Sequence, residues 1–181
     1  MLWRNLVSAL VRWRAHRRFR RFEEACAEPA EVQRRVLLAK VARQADSDFG
    51  REHGFAHIDS VEEFRRRVPV CDYEYLRPYI DRVRQGEARA LFGPEDRVLM
   101  FALTSGTTAE PKYIPITERF LQEYRNGWLI WGWALYRDHA EAFSGSMLNI
   151  VSRPDEEYTV SGVPCGAVSG LMAQMQPLVV R

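Results

Sequence analysis

Cysteine is scarce and scattered in this chain: Cys26, Cys71 and Cys165 are odd in number and form no C-x-x-C pair. That excludes a disulfide framework and a thiolate zinc site, and it fits reduced cysteines in a cytoplasmic protein. Histidine is as thin. His53 and His57 share a helical spacing, but Gly54 lies between them and no further ligand completes a set, so no metal site is expected,. No apolar stretch approaches the length that crosses a membrane. The opening MLWRNLVSALVRWR is interrupted by Arg4 and Arg12 and lacks a small-residue cleavage site, which argues against a secretory signal,. Internal repeats and low-complexity tracts are missing as well. Three familiar site motifs are also absent: no GxxxxGK[ST] phosphate loop, no GxGxxG opening a helix, and no G-x-S-x-G nucleophile turn,.

What is present suffices for a folded core. The chain has 181 residues, of which 46% are hydrophobic and 12% aromatic, well outside the range of disordered chains,. A net charge of +2 conceals an asymmetry: residues 1–21 hold seven arginines and no acid, so the remainder carries −5. Residues 3–25 read as a basic helix with Trp3, Leu6, Leu10 and Trp13 near helical spacing,. Docking with solvated arginines is the preferred reading of residues 3–21, and contact with an anionic membrane surface is the alternative. Nothing else favours nucleic acid, and no nucleic-acid partner is expected.

The next segments read as a helical layer over residues 1–95. Pro29 suits the first turn of a helix carrying Val32, Val36, Leu37, Val41 and Ala45. Ser60 to Glu63 has the S-x-x-E form of a capping box, predicting a short helix from Val61 to about Arg67. Asp72 is placed to cap a following helix with Tyr73, Leu76, Tyr79, Ile80 and Val83 on its apolar side; Pro78 is expected to kink or restart it, and Gly86 to end it.

Residues 96–181 change character. Val98 to Leu103 is an unbroken apolar run, the pattern of a strand buried on both faces in a parallel or mixed sheet,. Thr104, Ser105, Gly106, Thr107 and Thr108 follow, then Pro111, Lys112 and a second short strand from Tyr113 to Ile116. Gly106 permits backbone conformations in which successive amides point at one anion, the hydroxyls donate to further oxygens, and Lys112 is a long, mobile point charge. The plain alternative is a surface turn. Thr117 and Glu118 open a long helix reaching about His139, whose Tyr124 and Trp128 are candidates to face an acyl substrate or simply to pack. Met147 to Val151 reads as another buried strand. Residues 153–170, with Gly162, Gly166 and Gly170, read as a substrate-facing loop or a turn.

The nine residues Thr104 to Lys112, TSGTTAEPK, resemble the signature of the adenylate-forming enzymes, usually TSGTTGxPK, departing at Ala109. VPVCDYEYLRPYIDRVRQGE (68–87) and SGVPCGAVSGLM (161–172) resemble the auxin-responsive promoter family of acyl acid amido synthetases, in its bacterial form. The resemblance spans roughly residues 30–181. It implies an α/β fold, with a helical layer and a mixed sheet flanked by helices, as the N-terminal part of a large adenylation domain. It further implies ATP-dependent activation of a carboxylic acid as an acyl adenylate, then transfer to an amine such as an amino acid, with Mg²⁺ bridging phosphates. Ser105, Gly106, Thr107 and Thr108 would cradle the phosphates, Thr104 would stand at the loop's entry, and Lys112 would be the catalytic charge. The apolar segment 178–180 has no closing element, and truncation, with no turnover by this chain alone, is the expectation. An acyl-coenzyme A ligase and a non-catalytic interaction module are the alternatives.

Overall fold

The computed structural model describes residues 2–104, 110–143, 148 and 150–175. Along the chain run α1 (Leu2–Ala27), α2 (Pro29–Arg43), α3 (Asp48–Glu52), α4 (Val61–Arg67), α5 (Tyr73–Arg84), β1 (Val98–Leu103), β2 (Tyr113–Thr117), α6 (Glu118–Asp138), β3 (Glu157–Tyr158), β4 (Pro164–Gly166) and α7 (Val168–Gln174). They belong to two compact units, residues 1–33 with 120–149 and residues 34–119 with 150–181.

Local chemistry sets most boundaries in the second unit. The Ser60 hydroxyl accepts from the Glu63 N–H at 3.2 Å, and Asp72 accepts from the Tyr75 N–H at 3.1 Å, so both predicted caps are made,. The helix begun at Pro29 stops at Arg43, earlier than its apolar stripe suggests, because Ser47 caps a separate turn by accepting from Gly50. Gly86 ends the α5 region with φ of 103°, a conformation costly for any residue with a Cβ,. Pro78 neither restarts nor divides α5. Tyr73, Leu76 and Tyr79 pack against the core while Ile80 and Val83 are buried in it, so both halves of the helix are held despite the missing N–H,.

The sheet is mixed, in the order β2-β1-β4-β3. β1 pairs antiparallel with β2 and parallel with β4, while β3 runs antiparallel to β4. Met100 and Phe101 are adjacent in β1 and both have no exposed surface. Successive strand residues point to opposite faces, so β1 is covered on both sides at this point, as its unbroken apolar run requires. Phe101 joins Ile80, Val83, Ala90 and Cys165 in the main core, and α5 supplies much of the layer over it. A smaller cluster of Val41, Phe55 and Ile58 lies between the earlier helices.

One sequence expectation fails in this part of the chain, and a second is met in its turn alternative. Of the strand expected over Met147 to Val151, Met147 and Asn149 lie outside the described residues; Leu148, Ile150 and Val151 are not in a strand, and Leu148 and Ile150 stand 87% and 91% exposed. An apolar run becomes a strand only where it pairs with a neighbouring strand, and the sheet formed by the described residues, in the order β2-β1-β4-β3, includes none of this run,. The glycine-containing segment 153–170 is not an open loop: it folds into β3, β4 and the start of α7, with Gly162 at φ 81° in the turn between the strands. Gly166 and Gly170 serve close packing. A Cβ on Gly170 would stand 2.2 Å from the Ser152 carbonyl oxygen, and one on Gly166 would stand 2.6 Å from that of Arg153.

In the first unit α1 and α6 meet through His16, whose ring lies edge-on to Trp133 at 5.0 Å, and through Arg137, which sits over the Phe19 ring at 5.3 Å. Ala15 is buried, whereas Leu10 and Trp13 are more than half exposed. The helix is where the sequence placed it; it meets α6 through His16 and Phe19, while Leu10 and Trp13 stay exposed. No helix among the described residues is long and apolar enough to cross a membrane.

Candidate functional site

The hairpin of β1 and β2 builds the site. Its register sets Leu103 opposite Tyr113, and just beyond that pair the Thr104 N–H donates to the Lys112 carbonyl at 3.2 Å. The two ends of the hydroxyl-rich turn are therefore drawn together, with Thr104 and Lys112 both exposed at its mouth. Ser105, Gly106, Thr107 and Thr108, the expected cradle, lie outside the described residues.

Helix α5 grips the returning limb. Tyr73 is its first residue, fixed there by the Asp72 cap, and its hydroxyl accepts from the Tyr113 N–H at 3.0 Å. The Lys112 ammonium lies 5.4 Å from the centre of the Tyr73 ring, within cation–π range,. One turn on, Arg77 sits 5.7 Å from the same ring and 3.6 Å from the Glu110 carboxylate. On the next residue, the Tyr113 ring carries the Arg84 guanidinium at 3.7 Å, and its hydroxyl donates to Glu157 at 2.6 Å. That hydrogen bond, aided by burial, raises the Tyr113 phenol above its ordinary value, because ionisation would set two negative charges together,. Cys165 lies beneath in the core, where burial pushes its thiol up and leaves it unsuited to nucleophilic work,.

Sequence reading singled out Thr104 and Lys112 as candidates, gave Tyr73 to core or rim with pocket lining as the alternative, and passed over Arg77, Arg84 and Glu157. One signal was available: the chain holds twenty-four arginines and two lysines, Lys40 and Lys112. A lysine retained at a hydroxyl-rich turn in so arginine-biased a chain points to a compact ammonium rather than a planar fork.

Tyr124 and Trp128 belong to the other compact unit, on α6. They form part of a ladder of rings, Phe120 to Tyr124 at 5.9 Å, Tyr124 to Trp128 at 6.3 Å and Trp128 to Trp131 at 5.1 Å, on one partly exposed helix face. Two hollows, of about 350 and 190 Å³, flank α7; neither is lined by Thr104, Lys112, Tyr124 or Trp128, while both are lined in part by residues of the segment 153–170. No group of three or more histidine, cysteine or carboxylate side chains among the described residues could hold a metal ion.

Comparison with known proteins agrees with this architecture. The family model of the GH3 family N-terminal domain matches residues 18–181. The probable indole-3-acetic acid-amido synthetase GH3.2 of Oryza sativa subsp. japonica is 39% identical over 88 residues, covering 48% of this chain and 14% of its own length. The jasmonoyl-L-amino acid synthetase GH3.3 of the same plant is 31% identical over 102 residues, covering 56% of this chain and 22% of its own. A solved GH3.15 acyl acid amido synthetase superposes with a TM-score of 0.70 at 24% identity, covering 82% of this chain and 26% of that one, a likeness of fold. The chain thus spans about a quarter or less of the length of these relatives.

Proposed function

This chain belongs to the GH3 family, and from that premise we propose that it carries the phosphate-binding hairpin of an enzyme that activates a carboxylic acid with ATP and passes the acyl group to an amine. The observation that carries this reading is the closed mouth of the β1–β2 hairpin, which holds Thr104 and Lys112 side by side at the ends of a turn rich in hydroxyls. Relatives named as amido synthetases for indole-3-acetic acid and for jasmonoyl–amino acid conjugates support an organic acid and an amino acid as the substrate classes.

In the reaction so assigned, a carboxylate oxygen of the acid attacks the α-phosphorus of ATP, and the bond to the bridging oxygen breaks toward pyrophosphate. Negative charge grows on the departing group. The amides and hydroxyls of Ser105 to Thr108 donate to its oxygens, Thr104 stands at the entrance, and the Lys112 ammonium follows the charge as it leaves. The amine nitrogen then attacks the acyl carbonyl and AMP departs. Tyr124 and Trp128 are assigned to the apolar wall for the acid. Magnesium, arriving with ATP, would supply positive charge to the phosphates. The described residues offer it no ligand cluster, and no step assigned to this chain passes through it. On this reading the chain is the N-terminal part of a large adenylation domain, and its own share of the work is phosphate binding and part of the wall for the acid.

Titration calorimetry of the chain with MgATP tests the proposal. Charge-assisted contacts contribute about 1.5–3 kcal/mol each, so Lys112→Ala is expected to weaken binding about tenfold or more. Lys112→Arg should restore only part of the affinity, because a fork replaces a point charge. Binding that Lys112→Ala leaves unchanged refutes the assignment.

A further inference from the structure

We propose that Tyr73, on α5, is a positioning residue for Lys112, and that it sets where the ammonium stands before the nucleotide arrives. The inference rests on the phosphate-hairpin reading and adds a residue that reading does not use. Lys112 is exposed, and a free lysine at a loop's end samples many rotamers, each lost when it settles on a phosphate,. Tyr73 limits that sampling in two ways. Its ring face lies 5.4 Å from the Lys112 ammonium, which orients the cation without neutralising it,. A carboxylate in the same place would compete with phosphate for the charge; a ring does not. Its hydroxyl accepts from the Tyr113 N–H at 3.0 Å, which anchors the backbone one residue beyond Lys112 and fixes the point from which the side chain projects.

Tyr73 is itself held in place. It is half-buried against the cluster of Ile80, Val83, Ala90, Phe101 and Cys165, and it follows directly on the Asp72 cap. Arg77, one turn along α5, reaches Glu110 at 3.6 Å on the descending side of the same turn. The single tyrosine thus ties a rigid helix to both the backbone and the charge at the exit of the hairpin.

The composition of the chain makes the test direct. Labelling with ¹³C-lysine yields two spin systems, Lys112 and Lys40, the latter an internal reference. In the unmodified chain the ε-methylene protons of Lys112 should be shifted upfield by the Tyr73 ring current. Tyr73→Phe keeps the ring: the upfield shift should persist, the Tyr113 amide should exchange with solvent faster, and pyrophosphate affinity by calorimetry should fall by no more than about threefold. Tyr73→Leu removes ring and hydroxyl: the shift should vanish and affinity should fall about five- to tenfold. Circular dichroism of both variants reports whether the fold survives, and Tyr73→Phe, the milder change, keeps the inference testable if Tyr73→Leu does not fold.

Lys112 methylene shifts equal to those of a free lysine in the unmodified chain overturn the inference. So does Tyr73→Leu binding pyrophosphate like the unmodified chain while Lys112→Ala does not. If Lys112→Ala itself binds normally, the phosphate reading falls first and takes this inference with it, so the two failures are told apart.

Discussion

Replacing Gly170 by alanine sets two physical effects against each other. Gly170 lies inside α7, where alanine is favoured over glycine by about 0.8–1 kcal/mol on propensity alone,. The position, however, faces a backbone crossing: a Cβ there would stand 2.2 Å from the Ser152 carbonyl oxygen and 2.7–2.8 Å from Cδ and N of Pro154. Real Cβ contacts essentially never fall below 3.0 Å, so one backbone must retreat from the other by most of an ångström. Neither contact is the tip of a flexible side chain. Overpacking of this kind costs about 1–3 kcal/mol, and crowding by backbone belongs at the upper end, so a net loss of about 1–2 kcal/mol remains after propensity is credited. Gly127 and Gly132 provide the control. Both lie inside α6 with nothing within 4 Å of the added Cβ, and each Gly→Ala change should stabilise by about 0.5–1 kcal/mol,. Urea denaturation followed by circular dichroism separates the signs. A Gly170→Ala protein as stable as Gly127→Ala would refute the close crossing, and with it the reading of the glycines after β3 as packing residues.

Two further outcomes can be checked. The Tyr79 hydroxyl donates to Glu52, and that bond, with burial, pushes the phenol from 10.0 up to about 12. Because the folded state favours the neutral phenol, the stability this provides is full below pH 10 and is lost as pH rises toward about 12. Tyrosinate absorbance should show late ionisation of this residue, which Glu52→Gln should move back toward the ordinary value; an unchanged titration curve would count against the bond. On α1, Trp13→Ala should alter stability by less than about 0.5 kcal/mol, whereas Phe19→Ala should cost about 1–2 kcal/mol, since only Phe19 meets α6,. Thermal denaturation of the pair with the reverse ranking would put the docked face on the side of Trp13 instead.

Legibility followed the range of the physics. Ser60 and Asp72 could be read as caps because their partners sit three residues away, and β1 and β2 because an unbroken apolar run and a turn are both local,. The strand expected at 147–151 depended on pairing with a strand distant in sequence, and sequence does not say that β4, rather than this run, is the one that pairs with β1. The docked face of α1 was not legible for a similar reason. Spacing showed where the large apolar residues lie, but contact with α6 falls to His16 and Phe19, whose partners Trp133 and Arg137 are far along the chain. At the candidate site, Lys112 stands out from its neighbours in sequence. The contact of Tyr73 with it does not, because it joins residues from two elements, and the Tyr73 neighbourhood reads as ordinary amphipathic helix.

The order of strands also sets a timetable for synthesis. β2 leaves the ribosome soon after β1 and can close on it across a short turn, but the other edge of β1 waits for Cys165 and Gly166. At about 5–20 residues per second, the roughly sixty residues between them leave an apolar strand edge unpaired for about 3–12 s. For that interval the nascent chain presents Met100 and Phe101 on a strand open to any passing extended segment. Growth temperature and the supply of chaperones should therefore govern the yield of this protein more than its final stability does.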